Sequence, residues 1–291
     1  MPSAATALPI RLGVVTEQAP PWAGVVEQWQ EIEALGFDSA WLTDHFMTHG
    51  DEDADADAPI FEGWTALAGL AMATSRIRIG LMVTGNTYRH PSVLAKQAVT
   101  VDHISGGRLE LGLGAGWWER EHAAYGFDFP GPGERVGRFA ETLDLLEQLQ
   151  AERRTDFSGH YYWTKDTPFA PKALQSPRLP VTIGCKGPKM LALTAAHADA
   201  WNTRGTVEMV APRMAALDDA CWAIGRDPAS LLRSVWPYEA SFDSVVVMAE
   251  SIASYRNAGF TEIILDWPRE PERLEVLRAA CRELFPQLRR A

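Results

Sequence analysis

Ser39-Ala40-Trp41-Leu42-Thr43-Asp44-His45-Phe46, SAWLTDHF, begins as a buried β-strand and ends with an acid beside an imidazole. A short apolar run without strict alternation suits a strand covered on both faces, as in a parallel sheet. Polar chemistry at such a strand's C-terminal end belongs to a closed parallel barrel, whose strand bodies are packed and whose C-terminal ends form the reactive mouth.

Working outward, short β-branched or apolar runs alternate with segments of helical period along the chain, the pattern of βα units. Strands are expected at 11–15, 39–44, 77–84, 108–114, 181–185, 200–204, 231–237 and 261–266. Helices are expected near 24–35, 62–74, 91–104, 134–150, 188–197, 207–224, 243–258 and 271–284. Pro91 opens one helix at the position where a missing N–H costs nothing. Gly36 and Gly259 close two others, where a left-handed cap favours glycine. Eight such pairs in 291 residues fit an α/β fold, a single (β/α)8 TIM barrel, which typically takes about 250 residues. One domain spanning 1–291 is expected, with an inserted excursion at 152–180 lying over the C-terminal mouth. Its five aromatics and four prolines make it too long for an ordinary connection, and a small hairpin is expected around Ser158-Gly159-His160.

Composition narrows the function classes. With 46% hydrophobic and 22% charged residues, the chain reads as an ordered globule. No apolar run approaches the ~20 residues a bilayer needs, and the N-terminus lacks a secretory pattern, so a cytoplasmic protein without membrane contact is expected. A net charge of −11 argues against a nucleic-acid groove. Three widely spaced cysteines, Cys185, Cys221 and Cys281, suggest neither a disulfide framework nor a zinc site. The acidic run Asp51–Asp57 matches several EF-hand ligand positions, but Ala56 replaces the required glycine and no helix enters it; a solvated loop and no metal are expected.

Other strand ends repeat the polar or glycine-rich theme of Asp44-His45: Thr84-Gly85-Asn86, Gly114-Ala115-Gly116-Trp117, and Gly184-Cys185-Lys186-Gly187. GLGAGW at Gly112–Trp117 fails as a dinucleotide fingerprint, because Trp117 stands where the last glycine is needed; it reads as close backbone approach to a flat ring. Gly184–Gly187 lead from a strand into a helix, whose N-terminal N–H groups favour an anion.

Four blocks, Gly36–Phe46, Phe61–Phe129, Pro180–Asn202 and Gly259–Pro268, closely resemble the luciferase-like monooxygenase superfamily, in particular its actinobacterial coenzyme F420-dependent oxidoreductases. The resemblance implies a TIM barrel holding a deazaflavin or flavin at its C-terminal mouth. It implies a bulge after the third strand, often with a non-prolyl cis peptide, at Leu81-Met82-Val83 with Thr84 and Asn86, backing the ring. It also implies the cofactor phosphate at Gly184, Cys185, Lys186 and Gly187. Where related sugar-phosphate dehydrogenases carry a catalytic glutamate this chain has Trp117, which argues against that reaction.

The function expected is therefore hydride transfer from reduced F420 to a small organic acceptor at C=C, C=N or a similar bond. His45 is the expected proton donor or orienting residue, and Asp44 either fixes its tautomer or binds the cofactor's ring edge. His122 and Tyr125 are secondary candidates, and Trp117-Trp118 and Tyr161-Tyr162-Trp163 could line an aromatic pocket. Two alternatives stay open: an FMN-dependent two-component monooxygenase, and a non-catalytic flavin-binding protein. The resemblance further implies a homodimer or higher homo-oligomer and a separate reductase that regenerates the cofactor.

Overall fold

The computed structural model describes residues 10–48, 57–238 and 241–289. The barrel strands are β1 (Arg11–Val15), β2 (Ser39–Leu42), β3 (Arg78–Leu81) with its continuation β4 (Thr84–Gly85), and β5 (Leu109–Gly114). They are followed, after a hairpin of β6 (Arg154–Ser158) and β7 (Trp163–Pro168), by β8 (Val181–Gly184), β9 (Ala200–Arg204), β10 (Leu232–Trp236) and β11 (Glu262–Asp266). All barrel pairings are parallel, and β3 pairs with β5 to close the ring that runs from β3 through β2, β1, β11, β10, β9 and β8. The fold is the expected (β/α)8 TIM barrel.

Helices α1 (Trp22–Leu35), α2 (Gly63–Ala73), α3 (Pro91–Ser105), α4 (Glu119–Tyr125) and α5 (Pro132–Ala151) accompany the first half. The second half carries α6 (Pro188–His197), α7 (Val207–Ala223), α8 (Val245–Asn257), α9 (Pro271–Glu283) and α10 (Phe285–Leu288). No helix among the described residues is long and apolar enough to cross a membrane. Gly36 caps α1 at φ +86°, as its position predicts. Glu62, just after the acidic run, caps α2 by accepting the N–H groups of Trp64 and Thr65. The acidic run itself, apart from Asp57, lies outside the described residues.

The barrel interior explains SAWL. Trp41 points inward and clusters with Val15, Met82 and Ile264, all buried. A Cβ on Gly80 would stand 2.5 Å from the Trp41 ring, so the neighbouring strand must be bare there. The indole N–H donates to Ser39 Oγ at 3.0 Å, and that hydroxyl donates to the buried Glu262 at 3.1 Å. At the same end Arg11 bonds Glu110 at 2.7 Å, and Arg78 pairs with the same carboxylate. This polar plug closes the N-terminal end of the barrel; chemistry is left to the opposite end.

The excursion at 152–180 corrects the expected placement of the insertion. Its hairpin is present, but the segment lies at the N-terminal face: Gln175 accepts from Arg78 at 2.9 Å and donates to Leu109 O at 2.7 Å, both at strand starts. An α-to-β connection ends where strands begin, so topology carries it away from the mouth. Neither Tyr161-Tyr162-Trp163 nor any other residue of it lines the large cavity; Tyr162 packs into the core and Trp163 faces outward.

Candidate active site

A cavity of about 1200 Å³ opens at the C-terminal ends of the strands, and all eight barrel strands or the loops after them contribute to its wall. Asp44 and His45 both line it, but they serve different partners. Asp44 accepts from Arg89 at 2.6 and 2.9 Å and from the Gly85 N–H at 3.0 Å. Its carboxylate is thus spent on fixing the β4 turn. His45 is held instead by Glu121, with Nδ1 and Oε2 2.9 Å apart. The expectation that Asp44 fixes the imidazole tautomer is corrected: adjacent residues at a strand end point in opposite directions, and the facing carboxylate comes from α4.

Glu121 is fully buried. Its Oε1 accepts the Phe46 N–H at 2.7 Å and its Oε2 also accepts the Tyr88 hydroxyl. Burial alone would push this carboxyl up, but His45, Tyr88 and the Phe46 N–H outweigh it and hold it below the usual carboxylate range. Burial and the same anion push the Tyr88 phenol well up, so Tyr88 stays a donor. The His45 ring stands edge-on to Trp117 and Trp118, centroids 5.9 and 5.5 Å apart.

The bulge after β3 forms the floor. The Met82–Val83 peptide is cis. Val83 reaches under two bare strand ends: a Cβ on Gly114 would stand 2.6 Å from one of its methyls, and one on Gly184 3.0 Å from the other. Glycine at both positions makes room for the Val83 side chain, which itself lines the cavity. Met82, Thr84, Gly114, Ala115, Gly116 and Trp117 all line the cavity. Thr84 Oγ1 is buried without a hydrogen-bond partner among the described residues, a polar atom suited to a ring substituent. Leu81 and Asn86 do not line it; Leu81 packs outward toward α2, and Asn86 is buried with its N–H on Gly114 O at 2.9 Å.

Gly184, Cys185 and Lys186 line the next sector, and Gly187, the exposed N-cap residue of α6, lies outside the wall. Cys185 cannot offer an N–H to an anion, because it donates to Asn202 O at 3.0 Å. Its thiol, pushed up to about 11 by burial, sits 3.4 Å from Thr194 Oγ1. Cations converge here instead. Lys186 donates to the Tyr238 hydroxyl at 3.2 Å, and Arg204 lies 4.1 Å over the Trp236 ring. Lys186, with Arg204 and Arg213 behind it, lowers the Tyr238 phenol. Opposite, Asp266 accepts the Trp236 indole N–H at 3.1 Å, and burial pushes its carboxyl up.

The secondary candidates leave the site. His122 is fully buried between Trp118 O at 2.7 Å and Thr87 Oγ1 at 2.6 Å, and the Tyr125 hydroxyl bonds Phe46 O at 2.7 Å. Both fasten α4. The partner of His45 that sequence reasoning passed over is Glu121, in WEREHAAY. Its signal was a carboxylate directly before His122 and one helical turn before Tyr125; of the helix only Glu121 and His122 are buried. Among the described residues no group of three His, Cys, Asp or Glu is placed to hold a metal.

Residues 4–261 match the family profile described as luciferase-like monooxygenase. The chain belongs to that family. Among curated members of F420-dependent type, it is 29% identical over 88% of its length, and 68% of the other, to the F420-dependent hydroxymycolic acid dehydrogenase of Mycobacterium tuberculosis. It is 33% identical over 56% of its length to the F420-dependent glucose-6-phosphate dehydrogenase of Amycolatopsis mediterranei, of which the match spans 48%. The luciferase-like barrel is also that of a solved F420-dependent secondary alcohol dehydrogenase carrying an F420–acetone adduct, with a TM-score of 0.81 at 16% identity over 93% of this chain and 97% of that one.

Proposed function

We propose that the protein is an oxidoreductase that binds coenzyme F420 at the barrel mouth and exchanges hydride with a small organic substrate at a C=C, C=N or related bond. The observation that carries this is the platform of Val83 beneath Gly114 and Gly184 with His45 on the same cavity wall. Similarity along most of the chain to an F420-dependent dehydrogenase supports the choice of cofactor.

When bound, the deazaflavin supplies a hydride at C5 and reacts poorly with oxygen. The chain does the rest. Met82 and Val83 back the ring, with Val83 seated in the space that Gly114 and Gly184 leave bare. Gly184, Lys186 and the N-terminus of α6 receive the phosphate, with Arg204 adding charge. Trp117, exposed on the rim, covers the reacting edge from water, and His45 exchanges the proton that accompanies hydride transfer. Trp117 in place of an acid sets sugar phosphates aside as substrates.

A fluorescence titration of the chain with oxidised F420 and, separately, FMN tests this. Binding of F420 at about micromolar or better, with FMN far weaker, is expected. Preference for FMN with oxygen consumption in the presence of a flavin reductase would replace this reading by a two-component monooxygenase. Tight binding without turnover across a broad acceptor panel would leave a non-catalytic binder.

A further inference from the structure

We propose that Glu121 is a positioning residue for proton transfer: it keeps a proton on His45 Nδ1, so that exchange with the substrate falls to Nε2. This rests on the reading of His45 as the proton-exchanging group, and not on which cofactor is bound.

The geometry is over-determined. Glu121 Oε2 lies 2.9 Å from Nδ1, its Oε1 receives the backbone N–H groups of Phe46 at 2.7 Å and Met47 at 3.3 Å, and the Tyr88 hydroxyl donates to Oε2. Its donors come from the loop after β2 and the turn after β4. The helix that carries it is only seven residues long and is fastened independently of His45, by Tyr125 to Phe46 O and by His122 to Thr87. Phe46 packs on Tyr88 and Tyr125 at 5.1 and 5.2 Å between centroids, and Trp117 and Trp118 fix the imidazole plane. A carboxylate that only clamped the loop would be satisfied by the two backbone N–H groups; here one oxygen is shared by the imidazole and a phenol.

The chemistry follows from donor and acceptor roles. An ionised carboxylate only accepts, so Nδ1 carries hydrogen in both protonation states of His45. The neutral ring is then the Nδ1–H tautomer. In the reducing direction the imidazolium breaks its Nε2–H bond and gives that proton to the substrate atom next to the carbon that has accepted hydride. In the oxidising direction neutral Nε2 takes the proton from a substrate hydroxyl or amine as hydride leaves for the oxidised deazaflavin. Either way the hydride carries both electrons, one separate proton passes through Nε2, and Glu121 changes neither charge nor protonation. Asp44, on the same wall as His45, is neutralised by Arg89.

The test is ¹⁵N NMR of the imidazole nitrogens in the chain without cofactor, the His45 signals being those missing from His45→Ala. The wild type is expected to show the Nδ1–H tautomer when the ring is neutral. Glu121→Gln can donate from its amide and is expected to move the ring to Nε2–H. Kinetically, Glu121→Gln is expected to lower kcat by about 10²–10⁴-fold, with cofactor Kd and substrate KM within about threefold. It should add no loss in a His45→Ala background. A wild-type Nε2–H tautomer, or Glu121→Gln with unchanged kcat, overturns the proposal. Should Glu121→Gln fail to fold, Tyr88→Phe decides: it keeps the charge and must keep Nδ1–H, and a switched tautomer there would make the phenol the controlling group. Failure to bind F420 would sink the cofactor reading while leaving the tautomer result standing.

Discussion

Asp44 and His45 are neighbours in sequence that do opposite work. The strand end made both legible as mouth residues, because polar side chains after a buried run belong where a barrel opens. Their partners were not legible, since Arg89 and Glu121 lie 45 and 76 residues away and only closure of the barrel brings them in. Asp44 is the residue whose loss is structural. Arg89 is nearly buried, and its other acid, Glu62, stands 3.7 Å off. Breaking a buried pair from one side typically costs about 3–5 kcal/mol, because the remaining charge is left without compensation. Asp44→Asn is therefore expected to lower unfolding free energy by about 3 kcal/mol, the lower end, because Glu62 partly compensates. Urea denaturation measures it; a loss below about 1 kcal/mol would mean that Arg89 turns to solvent instead.

Elements were legible in proportion to their periodicity. Most barrel strands are built on short apolar runs, and the eight long helices repeat their buried apolar positions. Helix α4 was hidden because seven residues give no full repeat, and the excursion was misplaced because periodicity says nothing about which end of a barrel a loop occupies. One tie between elements predicts acid behaviour. Glu33, in the last turn of α1, accepts the N–H groups of Ser75, Arg76 and Ile77 at 2.8, 2.6 and 3.0 Å as the chain enters β3. Burial would raise its carboxyl, but these donors hold it at about 2, against an ordinary 4.5. The folded value is depressed, so the associated stability is fully present above about 4.5 and is lost as pH falls through about 2. Glu33→Gln should cost about 1 kcal/mol at neutral pH, a figure kept small by solvent screening at this partly exposed site. Its stability should also fall less steeply than the wild type between those two pH values. Parallel slopes in chemical denaturation across that window would show that Glu33 is not the titrating tie.

At the scale of the whole molecule, the cavity is what all eight strands share. A ligand seated there touches both halves of the barrel, so occupancy stabilises the cooperative unit rather than one loop. The net charge of −11 opposes an anionic cofactor at long range, while Lys186, Arg204 and Arg213 attract it at short range. At 100 times its Kd, a ligand that binds only the folded chain adds about 2.7 kcal/mol of stability. With an unfolding entropy of roughly 2.1 cal/mol/K per residue, that raises Tm by on the order of 4 °C for a chain of this length. We therefore expect oxidised F420 at that concentration to raise Tm by about this amount, and FMN at the same concentration to leave it unchanged. The shift should shrink in high salt, because exposed cations at the rim are screened beyond a Debye length of about 3 Å at 1 M. A salt-independent shift would place the binding energy in the ring platform of Val83, Gly114 and Gly184 rather than in the cation cluster, and a larger shift with FMN would overturn the deazaflavin reading altogether.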